Sequence, residues 1–305
     1  MELQSIINES KKVIANGHVA DYIPALATVD PKQLGISLYD VTTGICQQAG
    51  DSQTSFAIES VSKVFSLLLA IELWGLPKVS QYVDTRQSGF PFNSILNMEI
   101  EQTKRPLNPF INAGAIVITS LIVAKKKQDA FAAILDYVQR LCHNSTISLA
   151  TTIYQSEAQT GDMNRSLAYY LKSKGMLAAG AKASLTTYFK QCSLLVTAND
   201  LANFGAVLAN DGITPWSCKR LIDSSVATYV KSVMMTTGLY NESGIYSAQI
   251  GIPTKSGVGG GLVAAAPHKY GIGIFSPALD QAGNSIAGLA ALKMISQELD
   301  LDIFK

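Results

Sequence analysis

Ser60 and Lys63 stand three residues apart at the start of "ESVSKVFSLLLAIELWG". The apolar spacing of that stretch predicts an amphipathic helix. Residues three apart share a helix face, so the serine hydroxyl and the lysine amine can meet. A serine hydroxyl is a weak nucleophile until a base takes its proton, and lysine is such a base only when neutral. Burial disfavours the ammonium, and so does the positive end of the helix on which Lys63 would sit. The plainer alternative has Ser60 capping the helix and Lys63 pointing into water.

A second stretch, "IPTKSGVGGG", carries Lys255, Ser256 and Gly257. Serine hydrolases with a Ser-x-x-Lys nucleophile place a Lys-[Ser/Thr]-Gly triplet on the strand facing it. Lys255 would add positive potential that lowers the Lys63 pKa further. The glycines would let backbone approach a substrate, and an N–H from this strand could join that of Ser60 around an oxyanion. A Gly-rich hairpin with an exposed lysine is the alternative. The Ser-Asp-Asn or Tyr-x-Asn triplet of that wider class is absent from its place, which counts against an enzyme acting on β-lactams.

The elements that must position these residues follow from pattern. The chain has 305 residues, 48% hydrophobic and 15% charged, with a net charge of +1, enough for one large domain or two small ones. This balance speaks against nucleic acid or an anionic membrane as partner. No segment reaches the roughly 18 apolar residues of a membrane span. The N-terminus has no basic segment leading into an apolar run, so the expected location is the cytoplasm. The four cysteines (Cys46, Cys142, Cys192, Cys218) are far apart and expected to be reduced, buried thiols. His18, His143 and His268 have no ligand spacing, so no metal is expected, and a hydrolytic base other than histidine.

"QLGISLYDVTTGICQQAGD" predicts a hairpin turning at Thr43-Gly44. Helical periods run through the middle of the chain, in "NAGAIVITSLIVAKK", "QDAFAAILDYVQRLC", "RSLAYYLKSKG", "ASLTTYFKQCS" and "TANDLANFGAVLANDG", and "LQSIINESKKVIANG" predicts an N-terminal helix. After Thr236, "YSAQIGIPTKSGVGGGLVAAAPHKYGIGIFSP" predicts strands and tight turns, and Ser285 caps a closing helix. The expected fold class is α/β of the α+β kind: an antiparallel sheet flanked by terminal helices, with an all-helical lobe inserted. The expected lobes are 1–58 with 236–305 for the sheet, and 59–235 for the helices. A cleft between them would hold the site.

"DYIPAL", "ESVSKVF", "NPFINAGAI", "QSEAQTGDMN", "LAYYLK", "KSGVGGG" and "GNSIAG" occur in order from about Val19 to Leu289. Together they resemble the signature blocks of the serine-dependent glutaminases. The resemblance implies one glutaminase domain over 1–305 with a β-lactamase/transpeptidase-like fold. It implies hydrolysis of L-glutamine to L-glutamate and ammonia, no cofactor, and a homo-oligomer, dimer or tetramer. Matched residue by residue, it makes Ser60 the nucleophile and Lys63 its base. Asn112, Glu157 and Asn164 become substrate ligands, Tyr188 and Tyr240 pocket tyrosines, Val258 a backbone donor and Tyr22 a further pocket residue. Tyr229 and Tyr246 are alternatives to Tyr240.

Glutamine's chemistry suits these types. Glu157 can neutralise an ammonium, and asparagine amides can donate to a carboxylate without adding charge. A buried Asn112 without partners would cost about 1–3 kcal/mol, so a ligand, a network or a capping role is expected for it. Tyr240 could relay a proton to departing ammonia. Two rivals stand beside this reading: a penicillin-recognising hydrolase or peptidase, and a catalytically silent amino-acid-binding protein.

Overall fold

The computed structural model describes residues 2–100 and 102–305. Helix α1 (Leu3–Ser10) continues into a 3-10 turn and is followed by strands β1 (Gly35–Asp40), β2 (Cys46–Gly50) and the short β3 (Phe56–Ala57). The helical stretch comprises α2 (Ser62–Trp74), α3 (Leu76–Val79), α4 (Leu96–Ile100), α5 (Asn112–Lys126), α6 (Ala130–Cys142), α7 (Thr151–Thr160), α8 (Asp162–Ser173) and α9 (Ala181–Cys192). Strand β4 (Leu195–Val196), α10 (Ala198–Ala209), α11 (Ser224–Thr237) and α12 (Ser243–Ile250) come next. Strands β5 (Thr254–Ser256), β6 (Gly261–Ala266) and β7 (Tyr270–Phe275) and helix α13 (Ile286–Glu298) close the chain.

The main sheet is antiparallel in the order β2-β1-β7-β6-β5. The β1–β2 hairpin turns where expected, with Gly44 at φ +73° and Asp40 Oδ1 accepting from the Thr42 and Thr43 amides. Side chains alternate across a strand, so each sheet face has its own core. Leu262, Ala264, Ile272 and Ile274 face the terminal helices, with Ile6, Ile7, Leu292 and Ile295. Val263, Ala265 and Phe275 face the central helices, with Phe65, Leu201 and Phe204. Ser285 caps α13 by accepting from the Gly288 amide at 3.1 Å. These features establish the α+β class.

Several expectations are corrected. Helix α2 is not half-exposed: every residue from Ser62 to Ile71 is buried, and so is α5 from Asn112 to Val123. A helix enclosed on all sides is a core element, so the apolar stripe in the sequence understated its burial. Helix α10, counted with the segment 59–235, lies flat across the sheet. A β-carbon on Gly273 would come within 1.9 Å of Ala198 O, and one on Gly271 within 2.0 Å of the Ala206 amide. Only glycine permits that approach. Tyr246 to Ile250 belong to α12 rather than to a strand. Of the four cysteines, all free thiols, Cys142 and Cys192 are buried, Cys46 is half-buried and Cys218 is exposed. Among the described residues, no helix is long and apolar enough to cross a membrane.

Candidate active site

Ser60 lies on a 3-10 turn, Glu59–Val61, that leads into α2. No side chain caps that helix, so a capping role for Ser60 does not hold. The loop after β5 lies directly against this turn: a β-carbon on Gly257 would meet Ile58 O at 2.8 Å and the Ser60 amide at 3.1 Å. Glycine there lets the chain just before Val258 pass close against Ser60. Among the described residues, neither the Ser60 nor the Val258 amide donates to a backbone carbonyl.

Lys63 is 1% exposed. Its Nζ donates to Phe110 O at 3.1 Å and to Asn112 Oδ1 at 2.6 Å. Burial pulls its pKa down to about 8, against the opposing pull of Cys192, Glu59 and Glu157. A neutral amine has two hydrogens and one lone pair; an ammonium has three hydrogens. Two acceptors therefore suit the neutral form and leave the lone pair for a third partner. The Ser60 hydroxyl lies near the Tyr240 phenol, while the Lys63 hydrogen bonds run to Phe110 and Asn112.

Lys255 is not the exposed lysine of the alternative reading. It is fully buried, donates to Ser256 O and lies 4.4 Å from the centre of the Tyr240 ring. Burial first, and Lys63 second, push its pKa well below the lysine range. Lys63 has the carboxyls of Glu59 and Glu157 nearby to support a charge, whereas no acid is among the groups acting on Lys255. The Ser256 hydroxyl donates to Asn284 Oδ1 at 2.7 Å, and its carbonyl accepts from Tyr240 Oη at 3.4 Å.

Asn112 begins α5 without capping it. Besides accepting from Lys63, it donates through Nδ2 to Asn164 Oδ1 at 2.8 Å, which joins α2, α5 and α8 in one polar chain. Glu157 reaches the same space from α7, which meets α8 at Gly161. A β-carbon at Gly161 would strike Glu157 O at 2.7 Å and the Phe189 ring at 2.5 Å. Tyr188 on α9 is buried, with its hydroxyl near the Cys192 thiol. Tyr240 follows α11 in left-handed backbone, φ +58°, and burial raises its pKa to about 12. Neither Tyr229 nor Tyr246 is at the cavity: the Tyr229 side chain feels Asp84 and Arg105, and Tyr246 packs beside the terminal helices.

One cavity of about 100 Å³ gathers Tyr22, Ser60, Asn112, Glu157, Asn164, Tyr188 and Val258. Neither Lys63 nor Tyr240 lines it: Lys63 is tied to it through Asn112, Tyr240 borders a smaller cavity that shares Phe92, and Tyr22 lines it with 56% of its surface exposed. A broader groove of about 640 Å³ runs over α9 and contains none of these residues. Sequence reasoning missed Glu59, Phe92 and Cys192, which also line the cavity. For Glu59 a signal existed, an acid set into the apolar "FAIES" directly before the serine. Among the described residues, no group of three or more His, Cys, Asp or Glu stands together to hold a metal ion.

A family model described as Glutaminase matches residues 17–304. The chain belongs to the glutaminase family. It is 51% identical to Glutaminase 1 of Clostridium perfringens over 305 residues, 100% of this chain and 99% of that protein. It is 44% identical to the glutaminase of Clostridium tetani over 303 residues, 99% of each. Among solved structures, the probable glutaminase of Bacillus subtilis matches at a TM-score of 0.92 and 36% identity, covering 99% of this chain and 96% of that one. Its complex with 6-diazo-5-oxo-L-norleucine matches at 0.89 and 36%, covering 98% and 94%. The fold is accordingly β-lactamase-like, as in these glutaminases, and the activity is that of a glutaminase with glutamine as substrate.

Proposed function

We propose that this glutaminase works through a covalent glutamyl ester on Ser60, with Lys63 as general base. The observation that carries this reading is the buried Lys63 amine, whose two acceptors match a neutral –NH2 and leave its lone pair free. Lys63 takes the Ser60 proton as the hydroxyl oxygen bonds to the side-chain amide carbon of glutamine. The amide N–H groups of Ser60 and Val258 hold the resulting oxyanion. The proton passes from Lys63, through the Tyr240 phenol, to the leaving nitrogen, which departs as ammonia. Water, deprotonated by Lys63, then attacks the ester, and Ser60 recovers its proton as glutamate leaves.

In the same reading Glu157 receives the α-ammonium, while amide N–H groups of Asn112 and Asn164 face the α-carboxylate, with Tyr188 and Tyr22 enclosing the ligand. That the Bacillus subtilis relative is complexed with 6-diazo-5-oxo-L-norleucine supports a glutamine-shaped ligand, not its orientation. 6-Diazo-5-oxo-L-norleucine keeps the amino-acid end of glutamine and replaces the amide with an electrophilic diazoketone. Incubation of this chain with that compound should stop ammonia release and label a Ser60 peptide by mass spectrometry. Ser60→Ala should be folded, inactive and unlabelled. Normal turnover in Ser60→Ala or Lys63→Ala, or a label elsewhere, would overturn the mechanism.

A further inference from the structure

The residue directly before Ser60 has no part in that chemistry. Glu59 is 3% exposed, lines the same cavity and is held in left-handed backbone at φ +47°. Its Oε1 is enclosed, and no donor reaches it. The side chain within hydrogen-bonding reach is Glu157, and a carboxylate only accepts. Two ionised carboxylates cannot satisfy each other; a single proton makes one of them a donor. Burial and the facing Glu157 both hold the Glu59 carboxyl far above the usual carboxylate range. Burial raises Glu157 too, but its hydrogen bond with Glu59 acts downward. The enclosed, unpartnered Oε1 makes Glu59 the member of the pair that is less costly to hold uncharged.

We propose that Glu59 is a neutral carboxylic acid whose O–H donates to the Glu157 carboxylate, making it the positioning residue of the ammonium subsite. The pair then carries one negative charge, matched to the one positive charge of an α-amino acid. This rests on the substrate orientation proposed above. The other titratable groups facing Glu59 are Lys63 from α2, Cys192 and Tyr188 from α9, and Tyr22 and Tyr240. Of these, Lys63 alone can bear a positive charge, and in its base form it bears none.

The test is steady-state ammonia release from glutamine near neutral pH by Glu59→Gln, Glu59→Leu and Glu59→Ala, each checked by thermal melting. A glutamine amide donates to Glu157 as the acid does, so Glu59→Gln should keep kcat/KM within about threefold of the parent. The apolar variants remove the donor, so KM should rise about 10- to 100-fold while kcat changes much less. Glu59→Ala decides the point if Glu59→Leu fails to fold. The proposal is overturned if Glu59→Gln loses as much as the apolar variants, which would mean an ionised Glu59 is required. It is equally overturned if the apolar variants keep the parental KM. Absence of ammonia release by the parent protein would instead sink the glutaminase mechanism itself, so the two failures are distinguishable.

Discussion

The Lys63 amine donates to Asn112 Oδ1 across 2.6 Å, tying the first turn of α2 to the first residue of α5. The asparagine orients the amine and, through Nδ2, reaches Asn164 as well. Asn112→Ala should therefore lower kcat/KM about 100-fold, through loss of both an oriented base and a ligand, with the protein still folded. Asn112→Asp is the sharper probe. A carboxylate beside Lys63 favours its ammonium, so the midpoint of the pH–rate profile should climb by about 1–3 units. An unmoved midpoint would show that Lys63 is not the titrating base.

The parent protein's own profile follows from the Lys63 pKa of about 8. The deprotonated amine is the active form, so kcat should rise with pH through about 8 and level off above it. Lys63→Arg, whose guanidinium stays charged throughout, should show no such rise and almost no turnover. A flat kcat between pH 6 and pH 9 in the parent would be the contrary result.

Tyr240→Phe removes the phenol near Ser60 while the ring keeps its place against Phe92 and over Lys255. Thermal stability should change little. Loss of a relay at the leaving nitrogen should lower kcat by about 100-fold or more, with KM changed far less. Parental kcat in this variant would remove Tyr240 from the proton path.

Gly273→Ala tests the contact between α10 and the sheet. The new methyl would sit within 1.9 Å of Ala198 O, on backbone that cannot turn aside as a side chain would. Destabilisation of about 1–3 kcal/mol is expected from overpacking, measured by urea unfolding. A midpoint equal to that of the parent would show that α10 stands off the sheet in solution.

Legibility in the sequence divides along physical lines. The helix that opens just after Ser60, the turn at Thr43-Gly44 and the Ser285 cap are local features, set by spacings of a few residues, and they could be seen without coordinates. The stretch "NAGAIVITSLIVAKK" coincides with α5, because its apolar pattern is long and starts at the asparagine. The burial of Lys255 could not be read, since it depends on how the finished sheet packs. Nor could the placement of α10, because a glycine pattern in β7 does not say which helix will press on it. Glu59 was half legible: the acid in "FAIES" stands out, but not what it faces. Its left-handed backbone and the facing Glu157 both arise from tertiary contact.

Strand β1 pairs with β7, so Gly35 lies opposite Phe275 in the finished sheet. The loop carrying Val258 reaches Ser60 only when that sheet is complete. During synthesis, then, the serine and lysine leave the ribosome long before the segment that completes their surroundings. Under the proposed mechanism a chain cut before the final strands would lack the Val258 side of the oxyanion site, and hydrolysis would begin only as those strands dock.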